Sequence, residues 1–239
     1  MSATHTVTNQ VPPLEDYDAA DYAPLLEALD RAGAGDAIDE VHDVGRLAGS
    51  AGSLALGDLA EAHPPVLKTH DRYGNRVDEV VYDPAYHELM RTAVSFGLHG
   101  APWHDPRPHP HLTRAARSSV WGVVDAGHGC PISMTYAVVP ALRANPELAA
   151  RYEPLLSSAV YDPSFRAPDQ KAGLLAGMSM TEKQGGSDVR ANRTEAVPQP
   201  DGSYEITGHK WFTSAPMSDI LLVLAQAPGG LSCFFLPRI

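Results

Sequence analysis

The hydrophobic pattern changes period once, close to Pro168. Before it, apolar residues return every three or four positions, as in helices with one buried side. After it, short apolar or alternating runs are separated by Gly, Pro and Asp, the pattern of strands and tight turns. Helices first and strands afterwards predict an α+β chain in which the two kinds of structure are segregated. The length of 239 residues suits one large domain or two small ones.

In the first part, residues 23–32 read as a helix opened by Pro24 and ended by Gly33 and Gly35. A second helix is expected over residues 44–62, up to Pro64-Pro65. Residues 70–76 form a turn and 77–82 an extended run. Tyr86, Leu89, Met90, Ala93, Val94 and Gly97 then mark one buried face, with Asp83-Pro84 as cap and first turn. A proline-rich loop occupies 101–111, and 113–126 are helical. A helix starting at Cys130-Pro131 is apolar almost all round, which predicts a central position. Asn145-Pro146-Glu147 caps a further short helix. Residues 1–22 are expected as a flexible acidic arm, 23–172 as an all-α domain and 173–239 as a β domain. In that last part, 193–197 and 204–207 read as one hairpin, and 220–226 with 231–236 as another.

The net charge of −11 sits at one end. Residues 1–63 hold 12 acidic side chains against Arg31 and Arg46, while 64–239 hold 17 against 16 basic ones. With no basic stripe, this segment is not expected to bind nucleic acid. The longest aliphatic run, 220–225, is strand-sized and far short of the ~20 residues of a membrane span. The N-terminus lacks a basic start and an apolar core, so no secretory signal is expected. Cys130 and Cys233 stand far apart. That favours a reducing, cytoplasmic setting over disulfides.

Two segments could carry chemistry. The first is Met178-Ser179-Met180-Thr181-Glu182-Lys183-Gln184-Gly185-Gly186-Ser187-Asp188. Gly185 and Gly186 permit close backbone approach, and Thr181 and Ser187 offer hydroxyls, as a phosphate or a flavin carbonyl needs. A tight turn closed by Ser187-Asp188 explains the same residues. The second is Gly208-His209-Lys210-Trp211-Phe212-Thr213-Ser214. As a strand it sends Phe212 and Ser214 to one face, a ring beside a hydroxyl. That suits a planar cofactor, or simply a hydrophobic strand. His104, His109 and His111 share the proline-rich loop and His109-x-His111 could bind a metal, but only Asp105 stands beside them, so a solvated loop and no metal are expected. His128 and Cys130 are too close in sequence to form a nucleophile pair readily. Trp103 and Trp121 read as core.

Together the two segments resemble the flavin-facing elements of acyl-CoA dehydrogenases, which carry Thr-Glu-x-x-x-Gly-Ser-Asp and then Gly-x-Lys-x-aromatic-x-Thr/Ser. The wording of 180–189, 201–204, 208–212, 222–238 and 129–135 is similar to the AidB-type, alkylation-response (isovaleryl-CoA dehydrogenase-like) branch. The resemblance covers roughly residues 60–239 and implies FAD as cofactor and an acyl-CoA as substrate. Thr181 would meet the flavin pyrimidine edge, and Gly186 and Ser187 the pyrophosphate, with Gly185 in the same turn. Phe212 would pack on the isoalloxazine and Ser214 would bond near N5, beside Thr213. Met178, Ser179 and Met180 would line the same wall.

The resemblance implies further an antiparallel β-barrel-type middle domain, left incomplete, and a helical domain beyond it that is absent. That domain would supply the catalytic carboxylate and the tetramer core, so no catalytic residue is assigned in this chain and a truncated form is expected. The alternatives are DNA-alkylation protection through DNA binding by the missing part, or an inactive gene fragment. Strands ending at 231–236 would leave an apolar edge seeking a partner.

Overall fold

The computed structural model describes residues 4–6 and 8–239. Among the described residues seven α-helices precede the main sheet: α1 (Ala23–Arg31), α2 (Ile38–Ala48), α3 (Ala51–Ala62), α4 (Pro84–Ser95), α5 (Pro110–Trp121), α6 (Gly129–Leu142) and α7 (Pro146–Leu156). A hairpin of β1 (Val66–His70) and β2 (Arg76–Val81) interrupts them between α3 and α4.

The helix expected over 44–62 is two helices. α2 starts at Ile38, and its buried Val41, Val44 and Ala48 follow helical spacing. The chain bends at Gly49, and the Ser50 side chain accepts from the Ser53 amide to cap α3. A capping serine inside an apolar run ended the first helix where periodicity alone carried it on. Ser50→Ala is expected to cost about 1 kcal/mol, read as a lower denaturant midpoint at unchanged slope.

Residues 16–20, expected within the flexible arm, lie along α2 and α3. Tyr17 and Ala19 amides donate to the Gly49 and Gly45 carbonyls, Asp16 accepts from the Ala51 amide, and Ala20 is fully buried. The approach needs glycine: a Cβ on Gly45 would fall 2.0 Å from Asp18 Oδ1, and one on Gly49 1.9 Å from Tyr17 O.

Asp83 caps α4 by accepting from the Ala85 amide, and Asn145 caps α7 by accepting from the Glu147 and Leu148 amides. α5 begins at Pro110, three residues ahead of expectation, because His109 in a left-handed conformation turns the proline-rich loop into it.

The main sheet holds β3 (Ala176–Ser179), β4 (Glu195–Pro198), β5 (Tyr204–Thr207), β6 (Ile220–Ala227) and β7 (Gly230–Pro237). Both expected hairpins form, β4 with β5 and β6 with β7. The sheet is mixed rather than antiparallel throughout: β3 runs parallel to β6, with Ala176 opposite Ile220, and β4 meets β6 in parallel at Gln226. The crossover from β3 to β6 carries both candidate segments.

Two cores follow from this order. One joins α1, α2, α4 and α5 around Leu29, Val41, Leu89, Met90 and Trp121. The other joins α6 and α7 to the sheet through Val138, Val139, Leu156, Ala176, Ile220 and Leu222. α6 is thus the central helix its composition implies, and its Thr135 hydroxyl accepts from the Ala176 amide at 2.9 Å. Among the described residues, no helix is long and apolar enough to cross a membrane.

Candidate flavin-facing site

β3 carries the first segment out of the core, and the chain turns back after it. The turn is closed by Glu182 and Gly185, whose backbones exchange hydrogen bonds of 3.3 and 3.0 Å. Gly186 then passes the Thr181 side chain so closely that a Cβ there would sit 3.0 Å from its Oγ1. A tight turn therefore forms over 182–185, closed by Glu182 and Gly185 rather than by Ser187-Asp188, and it leaves Gly186, Ser187 and Asp188 exposed.

The second segment is not a strand, which corrects the expectation of one face shared by Phe212 and Ser214. It nevertheless runs antiparallel along the first. Ser214 bridges Met178, the Thr213 and Ser179 hydroxyls meet at 3.0 Å, the Trp211 amide donates to Thr181 O at 2.8 Å, and Lys210 Nζ reaches Glu182 Oε1 at 3.0 Å. Phe212 falls opposite Met180, where the ladder breaks. Its φ of +58° is left-handed, which a bulky residue rarely adopts without cause. The turn swings its ring outward: Phe212 is 80% exposed, with Trp211 at 43% and Met180 at 38% beside it. So the structure brings together Met178, Ser179, Met180, Thr181, Gly186, Phe212, Thr213 and Ser214. Ser187 stays on the exposed rim next to Gly186.

Behind this wall the loop is pinned from the core side. The Glu182 carboxylate accepts from Gln184 Nε2 (2.6 Å), the Arg193 amide (2.7 Å), the Thr194 amide (2.9 Å) and the Thr194 hydroxyl (2.6 Å), besides Lys210. Burial pushes this carboxyl up, but the hydrogen bonds from Thr194, Arg193 and Gln184 outweigh it and hold it well below the usual carboxylate range. Asn192 Nδ2 donates to Met180 O, and Gln226 Nε2 donates to the Arg190 and Asn192 carbonyls. Asn192, Thr194 and Gln226 were not singled out in the sequence. They lie outside both segments, and their roles exist only once β4 and β6 meet.

A second buried pair lies where β3 and β6 begin. Lys171 Nζ meets Asp219 Oδ1 at 2.6 Å, with both side chains 3% exposed, and Asp219 Oδ2 accepts from the Leu175 amide at 2.9 Å. Sequence reading missed it too, since nothing in the spacing of 171 and 219 links them.

The other candidates separate. His104 contacts the Ser157 hydroxyl just past the end of α7, and His111 the Tyr136 hydroxyl on α6. Among the described residues no group of three metal-ligating side chains is assembled. His128 is buried against Asp125 at 3.0 Å while Cys130 is exposed. Trp121 is core, and the Trp103 indole donates to Tyr136 O.

Comparison with known proteins agrees with this architecture. Residues 9–163 match the family described as Adaptive response protein AidB N-terminal domain, and 177–239 match Acyl-CoA dehydrogenase, middle domain. The chain belongs to the acyl-CoA dehydrogenase family, in its AidB-type branch. It is 47% identical to the putative acyl-CoA dehydrogenase AidB of Escherichia coli K12, over 98% of this chain and 44% of that protein. The structure of Bd2924 in its apo-form aligns with a TM-score of 0.77 and 27% identity, over 98% of this chain and 48% of that one. Caenorhabditis elegans ACDH-11 in complex with C11-CoA aligns with a TM-score of 0.80, covering 99% of this chain and 42% of that one; at 24% identity it shows the fold alone. The chain thus spans about half the length of the relatives it matches.

Proposed function

We propose that residues 178–187 and 210–214 form one wall of an FAD site in an acyl-CoA dehydrogenase-like flavoprotein. The observation that carries this is the antiparallel apposition of the two segments, with the Phe212 ring turned out of the ladder to an exposed position. An exposed phenylalanine in a strained conformation, backed by a buried hydrogen-bonded network, suits a surface that receives an aromatic ring. Gly186 and Ser187 offer an uncrowded backbone and a hydroxyl to an anionic group.

In this reading Phe212 packs on the isoalloxazine, Thr181 meets its pyrimidine edge, and Ser214, next to Thr213, bonds near N5. Gly186 and Ser187, with Gly185 behind them, hold the pyrophosphate. Met178, Ser179 and Met180 complete the wall. FAD, when bound, accepts the β-hydride as an acyl-CoA is dehydrogenated. The chain's own contribution is to bind and orient. We assign no catalytic base to it, and Glu182, committed to five donors, is unsuited to that role. The acyl-CoA substrate and homo-oligomeric assembly are proposed at the level of the full-length relatives, about half of whose length this chain spans.

The test is a titration of the chain with FAD, followed by quenching of flavin fluorescence. Saturable quenching is expected, and Phe212→Gly should weaken it about fivefold, in keeping with ~1 kcal/mol of lost aromatic contact. The same substitution should leave folding stability unchanged or raised by up to ~1 kcal/mol, because glycine adopts the left-handed turn freely. Absence of quenching, or indifference to residue 212, overturns the assignment.

A further inference from the structure

Glu182 is not assigned to the flavin, yet its side chain is tied to three stretches of the wall. Gln184 lies in its own turn, Arg193 and Thr194 lead into β4, and Lys210 begins the second segment. Lys210 is itself nearly buried, at 10% side-chain exposure, and its ammonium also lies 3.4 Å from Met180 O. One lysine therefore grips both ends of the Met180–Glu182 stretch.

That grip matters because the second segment is weakly paired. Phe212 interrupts the ladder, so among the described residues the second segment is tied to the first, besides Lys210, by the Trp211 amide, the Thr213–Ser179 hydroxyl contact, the Ser214 bridge and the Lys183 ammonium 5.6 Å from the Trp211 ring centre. Pairing that sparse specifies register poorly, and a slip of one residue would turn Phe212 to the opposite side. A buried ion pair at one end removes the slipped alternatives, since each would strand a charge without its partner.

We propose that Glu182 is a positioning residue: through Lys210 it fixes the register of residues 210–214 along residues 178–182 and so places the Phe212 ring on the flavin wall. This rests on the flavin reading above.

The experiment is hydrogen–deuterium exchange on the whole chain, with FAD titration alongside, for Glu182→Gln, Lys210→Met and Lys210→Arg. Glu182→Gln keeps the acceptor shape but not the charge. Lys210→Met keeps the length and removes the ammonium, and it serves if Glu182→Gln does not fold. Both should speed exchange at 210–214 roughly tenfold or more while leaving β6–β7 unchanged, because the loss is local. Both should weaken FAD by roughly tenfold. Lys210→Arg should restore both readouts to within about threefold, since a guanidinium can still reach the carboxylate. Unchanged exchange at 210–214 overturns the proposal. So does uniform loosening of the whole sheet that arginine does not rescue, the signature of a general structural role. Local loosening in a chain whose unsubstituted form takes up no FAD supports the register role and overturns the flavin reading instead.

Discussion

Lys171→Met is expected to cost the chain about 3–5 kcal/mol at neutral pH, the penalty of leaving a buried charge without its partner. Methionine matches the length of lysine, so lost packing is a small part of the change. What remains is the Asp219 carboxylate, almost sealed from solvent, with the Leu175 amide and the more distant Arg238 guanidinium, 4.0 Å away, as its remaining support. Burial already pushes the Asp219 carboxyl up with Lys171 in place. Without the ammonium it is pushed further.

The sign of the pH dependence follows. A folded-state value above the unfolded one means that the folded form holds its proton longer. Below the ordinary aspartate range both states are protonated, and the variant's deficit is smallest. As pH rises, the unfolded chain ionises first, and the deficit grows until the folded form ionises too. Urea midpoints for the variant and the unsubstituted chain should therefore diverge between about pH 4 and pH 7. Adding Asp219→Asn should recover much of the loss, because asparagine removes the stranded charge and still accepts from Leu175. A deficit independent of pH, or no recovery in the double variant, contradicts the ion-pair account. The consequence reaches the site, since Leu175 and Asp219 stand at the starts of the paired strands β3 and β6.

The order of elements was legible because both halves obey local rules. The α4 face from Tyr86 to Val94 and the caps at Asp83 and Asn145 are written in consecutive residues, and they appear where expected. The α2–α3 break was hidden because Gly49-Ser50 sits inside a pattern that stays apolar across it. The parallel pairing of β3 with β6 joins residues more than forty positions apart, and a strand's own sequence does not name its partner. At the candidate site, the residue types of both segments were visible. Their conformation was not, because alternation implies a strand at 209–214, whereas Phe212 and Ala215 take positive φ. The Met180–Glu182 stretch on which the second segment lies is held by buried donors from Asn192, Arg193 and Thr194. A site residue can thus be recognised from its motif while its direction is decided by residues outside the motif.

Acidification is expected to act on the wall in the opposite sense to the Lys171 site. The Glu182 carboxyl is held below its ordinary value, because its donors outweigh the opposing effect of burial. Its stabilisation is fully present above the usual glutamate range and is lost as pH falls below that range toward the folded value. Protonation discharges the partner of Lys210 and weakens the acceptor that serves Arg193, Thr194 and Gln184. The loss between pH 5 and pH 2 should reach ~3 kcal/mol, the scale of a broken buried pair. Other carboxylates, among them Asp125 and Asp162, are also held low, so the total acid slope belongs to several groups. Glu182→Gln isolates one of them. This variant should start less stable at pH 7 and fall less steeply on acidification, so that the two stability curves converge below about pH 4. Asp219 contributes with the reverse slope, because its cost is relieved on protonation. Asp219→Asn should therefore steepen the acid slope where Glu182→Gln flattens it. Parallel curves for Glu182→Gln and the unsubstituted chain would mean that the five donors do not act on an ionised carboxylate, and the register argument built on Lys210 would fall with them.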